Sequence, residues 1–297
     1  MKSRKYWIIG LILLLLFCVG GFTFFGFFLF FPSVDLSDKW GNIAIVELKG
    51  PIFDSASTIE KLEKYRKNDS VLAIVLRIDS PGGAVAPSQE IYTEVKKVAA
   101  QKKVVVSMGT VAASGGYYIA APATKIVANP GTLTGSIGVL MEHVEIDDLL
   151  KWAKVSAEIL KAGELKDIGS AFRKMKPQER EVLQSILQNM HLQFLKAVSE
   201  GRNIPLDEMK KIGNGKVFTG EQALELKLVD QLGNLEDAIE VAKNLAGIKG
   251  EPKIIKPEKS KSLLKEILFG GEEESSLLLQ KILTQVGRTK ILYMMSI

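Results

Sequence analysis

The chain has 297 residues, a formal net charge of +5 and 46% hydrophobic residues. That length allows one large α/β domain with additions. The single cysteine, Cys18, excludes intrachain disulfides and a cysteine-cluster metal site. The basic residues are scattered without interleaved aromatics, so no nucleic-acid partner is expected.

Met1 to Lys5 carries Lys2, Arg4 and Lys5, and residues 7–31 are uncharged and almost wholly apolar. Such a run spans a bilayer with some tilt. A cleaved secretion signal would need a shorter apolar core and a small-x-small exit, and the 27–32 stretch offers none. Bulky Phe17 just before Cys18 argues against a lipoprotein site. The reading is an uncleaved, single-pass anchor in the cell membrane. Residues 1–6 are expected in the cytoplasm and the remainder outside, because the basic flank stays in. The charge surplus suits a domain near anionic lipid, although a solvated surface explains it equally well.

Residues 32–41 read as a stalk, 42–250 as the main domain, and 251–297 as a linker followed by an apolar or amphipathic tail. Within the domain, 42–48 alternates as a strand, 57–66 fits a helix and 71–78 is a buried strand. Asp79-Ser-Pro-Gly-Gly83 then turns sharply, and a helix runs from Pro87 to about Ala100. A strand over 103–108 follows, then a helix over 114–121, a short strand over 125–128, a helical turn over 147–153 and a strand over 157–160. The 178–198 stretch is helical, with Val182, Ile186, Met190, Phe194 and Val198 on one face. A helix over 235–245 ends at Gly247. Strands alternating with helices argue for a parallel sheet. No internal repeat is visible. The C-terminal Ile291 to Ile297 is apolar and is expected to pack on the domain or on a neighbouring subunit.

Two glycine-rich turns stand out, each at the end of a predicted strand: Asp79 to Gly83, and Ala113-Ser114-Gly115-Gly116. Parallel neighbours would bring such turns side by side, where open α/β sheets bind ligands. A serine at a strand-to-helix junction exposes its hydroxyl, and backbone amides there can face a developing oxyanion. By itself Ser-Gly-Gly is equally a tight core turn. A serine nucleophile needs a base. His143 and His191 are the only histidines, and neither lies in a patterned motif, which leaves lysine as the other common base. A lysine must be neutral to accept a proton, and burial disfavours its charged form. Composition does not choose among Lys151, Lys154, Lys161 and Lys166.

Five segments resemble signal peptide peptidases of the SppA type, in the short, single-repeat bacterial form. They are Asp79 to Gly83, Ser107 to Tyr118, Asn129 to Val139, Lys166 to Arg173 and Phe218 to Gly233. The resemblance spans roughly residues 40 to 245. It implies an α/β fold of the ββα-superhelix type shared with the Clp protease and crotonase groups. It also implies Ser114 as nucleophile, Lys166 as base, Gly83 as an oxyanion-hole donor and Ser136 as a lysine-orienting hydroxyl. Gly115 is a second oxyanion donor by its place beside the serine. Ser136 would otherwise be a helix N-cap. The implied substrates are peptides, the remnant signal peptides left in the bilayer, and no metal or organic cofactor is called for. The implied assembly is a homo-oligomer, a tetramer or octamer, in which the dyad is shared between protomers. The competing readings are an inactive scaffold, another clan member acting on membrane-protein fragments, and an acyl-CoA enzyme of the crotonase type.

Overall fold

Two continuous apolar runs form the centre of the sheet, as expected of strands buried on both faces. The computed structural model describes residues 41–257 and 291–294. The predicted anchor over 7–31, with Cys18, lies outside them, as do the stalk up to Trp40 and most of the tail. Among the described residues no helix is long and apolar enough to cross a membrane.

In chain order the elements begin with β1 (Ile43–Lys49), α1 (Ala56–Lys67), β2 (Ala73–Ser80), β3 (Gly82–Ala84) and α2 (Val85–Ala99). Next come β4 (Lys103–Ala113), α3 (Gly115–Ala120), β5 (Lys125–Ala128), β6 (Leu133–Gly135), β7 (Leu140–Met141) and α4 (Asp147–Trp152). The long α5 (Pro177–Arg202) precedes α6 (Leu206–Ile212), β8 (Val217–Thr219), α7 (Gly220–Glu225), β9 (Gln231–Leu232), α8 (Leu235–Leu245) and β10 (Ile254–Ile255). The last described element is β11 (Ile291–Met294).

The main sheet runs β10-β1-β2-β4-β5-β9, parallel throughout. Side chains alternate between its faces. Ile43, Ile45, Ala73, Val75, Val105 and Val127 face one way and pack on Ala238, Ile239 and Ala242 of α8. The opposite parity, with Ala44, Val46, Ile74, Leu76, Val104 and Val106, joins a larger core with residues of α1, α2, α3 and α5. At about 1.5–3 kcal/mol for each buried large apolar side chain, these faces dominate the stabilisation. The helix α8 starts well defined because Asn234 caps it, accepting from Glu236 and Asp237 N–H at 2.7 and 3.2 Å.

Several expectations need correction. The strand predicted over 103–108 continues to Ala113. Its second half stays beside β2 after a register shift, with Ser80 opposite Ala112, and on its other edge exchanges β5 for β6, aligning Val111, Ala112 and Ala113 with Leu133, Thr134 and Gly135. No strand forms over 157–160, where every residue is exposed and no neighbouring strand accepts the pairing. The helix predicted over 178–198 exists and is longer, but only its C-terminal half is core. Phe194 and Val198 are fully buried, whereas Ile186 is exposed. The linker predicted from 251 contains β10, which adds to the edge of β1. The tail does pack on the domain, since β11 pairs antiparallel with both β3 and β7.

Candidate active site

Ser114 stands between β4 and α3. Its backbone has φ +52° and ψ −119°, a conformation that costs a non-glycine residue free energy and persists only when the surroundings impose it. The surroundings do so from both sides. Its N–H donates to Gly135 O at 2.8 Å, and its C=O accepts from Tyr118 N–H at 2.8 Å, starting the helix. The helix is itself held. Tyr117 OH donates to Leu228 O at 2.8 Å, and the Tyr118 ring packs on Tyr92 and Phe194 with centroids 4.9 and 4.8 Å away. Burial pushes the Tyr117 phenol well above its ordinary range, so it stays a neutral donor.

The Ser114 side chain takes no part in this bonding. It is fully buried, and among the described residues its Oγ has no hydrogen-bond partner. Buried polar atoms are normally paired, and an orphaned hydroxyl on a strained turn points to chemistry rather than packing. The hydroxyl expected to be exposed at this strand-to-helix junction is instead enclosed.

Gly83 lies on β3, next to the turn after β2. Ile52 N–H donates to Gly82 O at 2.9 Å, and Ala84 N–H donates to Ile52 O at 2.7 Å. Because strand amides alternate, the N–H and C=O of Gly83 point to the opposite edge. That edge is where β11 lies, with Tyr293 opposite Gly83. A Cβ at residue 83 would come within 2.0 Å of Ile52 O, so only glycine allows this approach. β11 also packs against α2 and α3. A segment of the chain thus occupies, as an antiparallel strand, the edge toward which the Gly83 amide points.

Gly115 is the first residue of α3, where an N–H has no acceptor within the helix. Ser136 follows Gly135, the residue that accepts the Ser114 N–H. Since Ala113 pairs with Gly135, the two serines leave adjacent strands at the same level. Ser136 is buried with φ +50°, and its N–H donates to Lys216 O at 2.8 Å. No helix follows it, so the N-cap alternative for Ser136 does not hold.

The structure does not bring Lys166 to this cluster. Lys166 sits in a turn where its N–H donates to Gly163 O at 3.2 Å. It is exposed and, among the described residues, forms no ion pair. Two of its three rivals are engaged. Lys151 binds Asp147 and Asp148 at 2.7 and 3.2 Å, and hydrogen bonds to these carboxylates raise its pKa. Lys161 pairs with Asp167 and donates to Glu164 O at 2.7 Å. The segment joined to this turn by the Ile146 N–H to Ala171 O bond exposes Val144, Leu149 and Trp152 (82%), as the chain just before the turn exposes Leu160 (89%). His191 Nε2 lies 2.6 Å from Gly213 O, and His143 lines a separate groove with Met141, Glu145 and Arg180. Neither histidine bonds to Ser114.

What the sequence reading missed is the set of short pairings that holds the Ser114, Gly83 and Ser136 turns. β3, β6 and β8 have three residues each, too few to show a period. The antiparallel β6–β8 pair, with Thr134 opposite Phe218, backs the turn that carries Ser136.

This chain matches peptidase family S49 over residues 96–249 and the Clp protease family over residues 33–132. It is 39% identical over 252 residues to a putative protease of Synechocystis, covering 84% of this chain and 90% of that protein. The chain belongs to peptidase family S49. It is a serine-type peptidase, and its mixed α/β domain is Clp protease-like. An S49 relative from Arabidopsis thaliana, the chloroplastic serine protease SPPA, is 35% identical over 236 residues, or 76% of this chain and 35% of that protein. A putative signal peptide peptidase SppA of Enterococcus faecium is 35% identical over 195 residues, or 64% of this chain and 56% of that protein.

Proposed function

We propose that this S49 peptidase is a membrane-anchored endopeptidase that cleaves apolar peptides, spent signal peptides among them, with Ser114 as nucleophile and Lys166 as general base. The observation that carries the reading is the Ser114 turn: a strained, buried serine whose hydroxyl has no partner among the described residues, with the Gly83 amide pointing toward an edge that already holds an extended segment. An extended peptide paired to β3 in place of β11 would meet that amide.

Neutral Lys166 takes the Ser114 proton as Oγ attacks the scissile carbonyl. The Gly83 and Gly115 amides hold the oxyanion, at about 3–4 kcal/mol for a donor in comparable sites. Lys166 then gives the proton to the leaving amine, and water, deprotonated by the same lysine, releases the acyl group. Ser136 orients the lysine from the Ser114 side. Because Lys166 is exposed and lies apart from Ser114, the reading places the lysine of one protomer against the serine of a second. The covering protomer would also remove Lys166 from water, which disfavours the ammonium form. The apolar run at 7–31 supports an anchor that holds the domain on the outer face of the cell membrane, near such fragments.

Labelling of the detergent-solubilised full chain with a serine-reactive probe tests the site. Wild type should label, and Ser114→Ala and Lys166→Ala should not. Absence of labelling in the wild type would favour an inactive scaffold. Protease added to intact spheroplasts should reach residues 32–297. Access only after lysis would overturn the orientation.

A further inference from the structure

The turn that bears Lys166 is tied down by one guanidinium. Arg173 Nε donates to Asp167 Oδ2 at 2.7 Å, while its terminal nitrogens reach Glu179 Oε2 at 2.8 Å and Oε1 at 2.5 Å. The same group donates to Lys174 O at 3.1 Å and Asp167 O at 3.3 Å. Glu179 is 1% exposed and also accepts the Lys176 N–H at 2.9 Å, fixing the start of α5. Asp167 spends its second oxygen on Lys161. The carboxylate beside Lys166 is therefore fully engaged, and the turn is bolted to a helix whose far half is core.

We propose that Arg173 is a positioning residue for Lys166: it fixes the turn against α5 and sequesters the Asp167 carboxylate, so that this carboxylate does not hold the lysine as an ammonium. The inference rests on the reading of Lys166 as the base. A free aspartate next to a lysine favours the charged form, which cannot accept a proton. Only a planar fork satisfies two carboxylates at once, so lysine at 173 is a poor substitute.

The other charged groups around the turn are accounted for. Lys161 and Glu164 lie within it, and Lys174 and Lys176 flank Arg173. The 145–151 segment, joined to the turn by the Ile146 N–H to Ala171 O bond of 2.8 Å, brings Glu145, Asp147, Asp148 and Lys151, and Lys151 holds both aspartates. His143, Glu145 and Arg180 line the adjoining groove.

The test is steady-state cleavage of an apolar peptide by the full chain in detergent, across a range of pH. Arg173→Met should lower kcat roughly 10- to 100-fold with KM unchanged, and move the rate profile to higher pH by about one unit. Adding Asp167→Asn to Arg173→Met should return the profile to its original position. Asp167→Asn alone should lower kcat without moving the profile, because Arg173 already neutralises that carboxylate; this variant carries the test if Arg173→Met does not fold. Arg173→Lys should fall between wild type and Arg173→Met. A wild-type kcat and profile in Arg173→Met would overturn the inference. So would a loss of kcat with an unmoved profile, or a profile displaced by Asp167→Asn alone. Lys166→Ala separates the two levels: full activity there sinks the base itself, whereas an inactive Lys166→Ala beside an unaffected Arg173→Met sinks only the positioning role.

Discussion

The Ser114 turn and the Lys166 turn are built in opposite ways. Ser114 is enclosed, its backbone bonded to β6 and α3, its hydroxyl the one group left over. Lys166 is exposed, and its turn is held by charge rather than by packing. The fold of one chain completes the surroundings of the proposed nucleophile and leaves the proposed base exposed. Strain can be stored only where neighbours over-determine the backbone, so the serine needs the core. Under the proposed mechanism the lysine needs a cover, and among the described residues this chain leaves it exposed.

The sharpest way to break that comparison is to remove each half. Ser114→Ala or Lys166→Ala should lower peptide cleavage by at least about 10³-fold, while Lys161→Ala, which frees one Asp167 oxygen, should cost far less. A mixture of the two inactive variants should regain part of the activity, since some contacts pair an intact serine with an intact lysine. A mixture that stays inactive would put both groups in one chain.

A smaller effect is expected at Gly83. Gly83→Ala forces a Cβ into Ile52 O and shifts the amide that faces the β11 edge. Cleavage should fall roughly 100-fold, the cost of a lost oxyanion donor, with KM little changed. Wild-type kcat in this variant would remove Gly83 from the mechanism.

Smaller again is the effect of the tail. β11 occupies the edge of β3 and packs on α3, the helix that follows Ser114. Ending the chain at residue 290 should lower the KM for an extended peptide several-fold and speed labelling of Ser114. Unchanged KM and labelling would mean that peptides bind elsewhere.

The last prediction concerns acid. Hydrogen bonds from Arg173 hold the carboxyls of Asp167 and Glu179 below their ordinary range. Burial pushes Asp230 up, but the Arg202 charge and the bonds from Ile126 N–H, Arg202 and Lys125 outweigh it and leave it lowered. Depressed folded-state values add stability that is whole above the unfolded values, near about 4, and is lost as pH falls through the folded ones. The melting temperature should hold from neutral pH to about pH 5 and drop below about pH 4. A melting temperature indifferent to acid would show that these pairs contribute nothing.

The apolar runs over 71–78 and 103–108 showed the central strands because Ala73 to Leu76 and Val104 to Val106 are buried on both faces and are all apolar. The Ser-Gly-Gly and Pro-Gly-Gly turns were equally plain, since few other residues meet the steric demands there. The 157–160 stretch has strand composition but no strand to pair with. The periodicity of 178–198 could not say that only one half of the helix touches the core.

The family resemblance singled out Ser136 and Lys166, whereas the sequence itself determined the parallel α/β core, the two glycine-rich turns and the apolar run at the N-terminus. Those are local properties, written in burial period and in backbone permissiveness. Tertiary structure decided that β4 exchanges β5 for β6 along one edge and that Ser114 is strained with an unpartnered hydroxyl. It also decided that the edge beside Gly83 carries β11, and that Lys166 stays apart from the serine while Arg173 clamps its turn. Each of these depends on contacts between segments far apart in the chain, and no local pattern encodes which distant backbone will arrive.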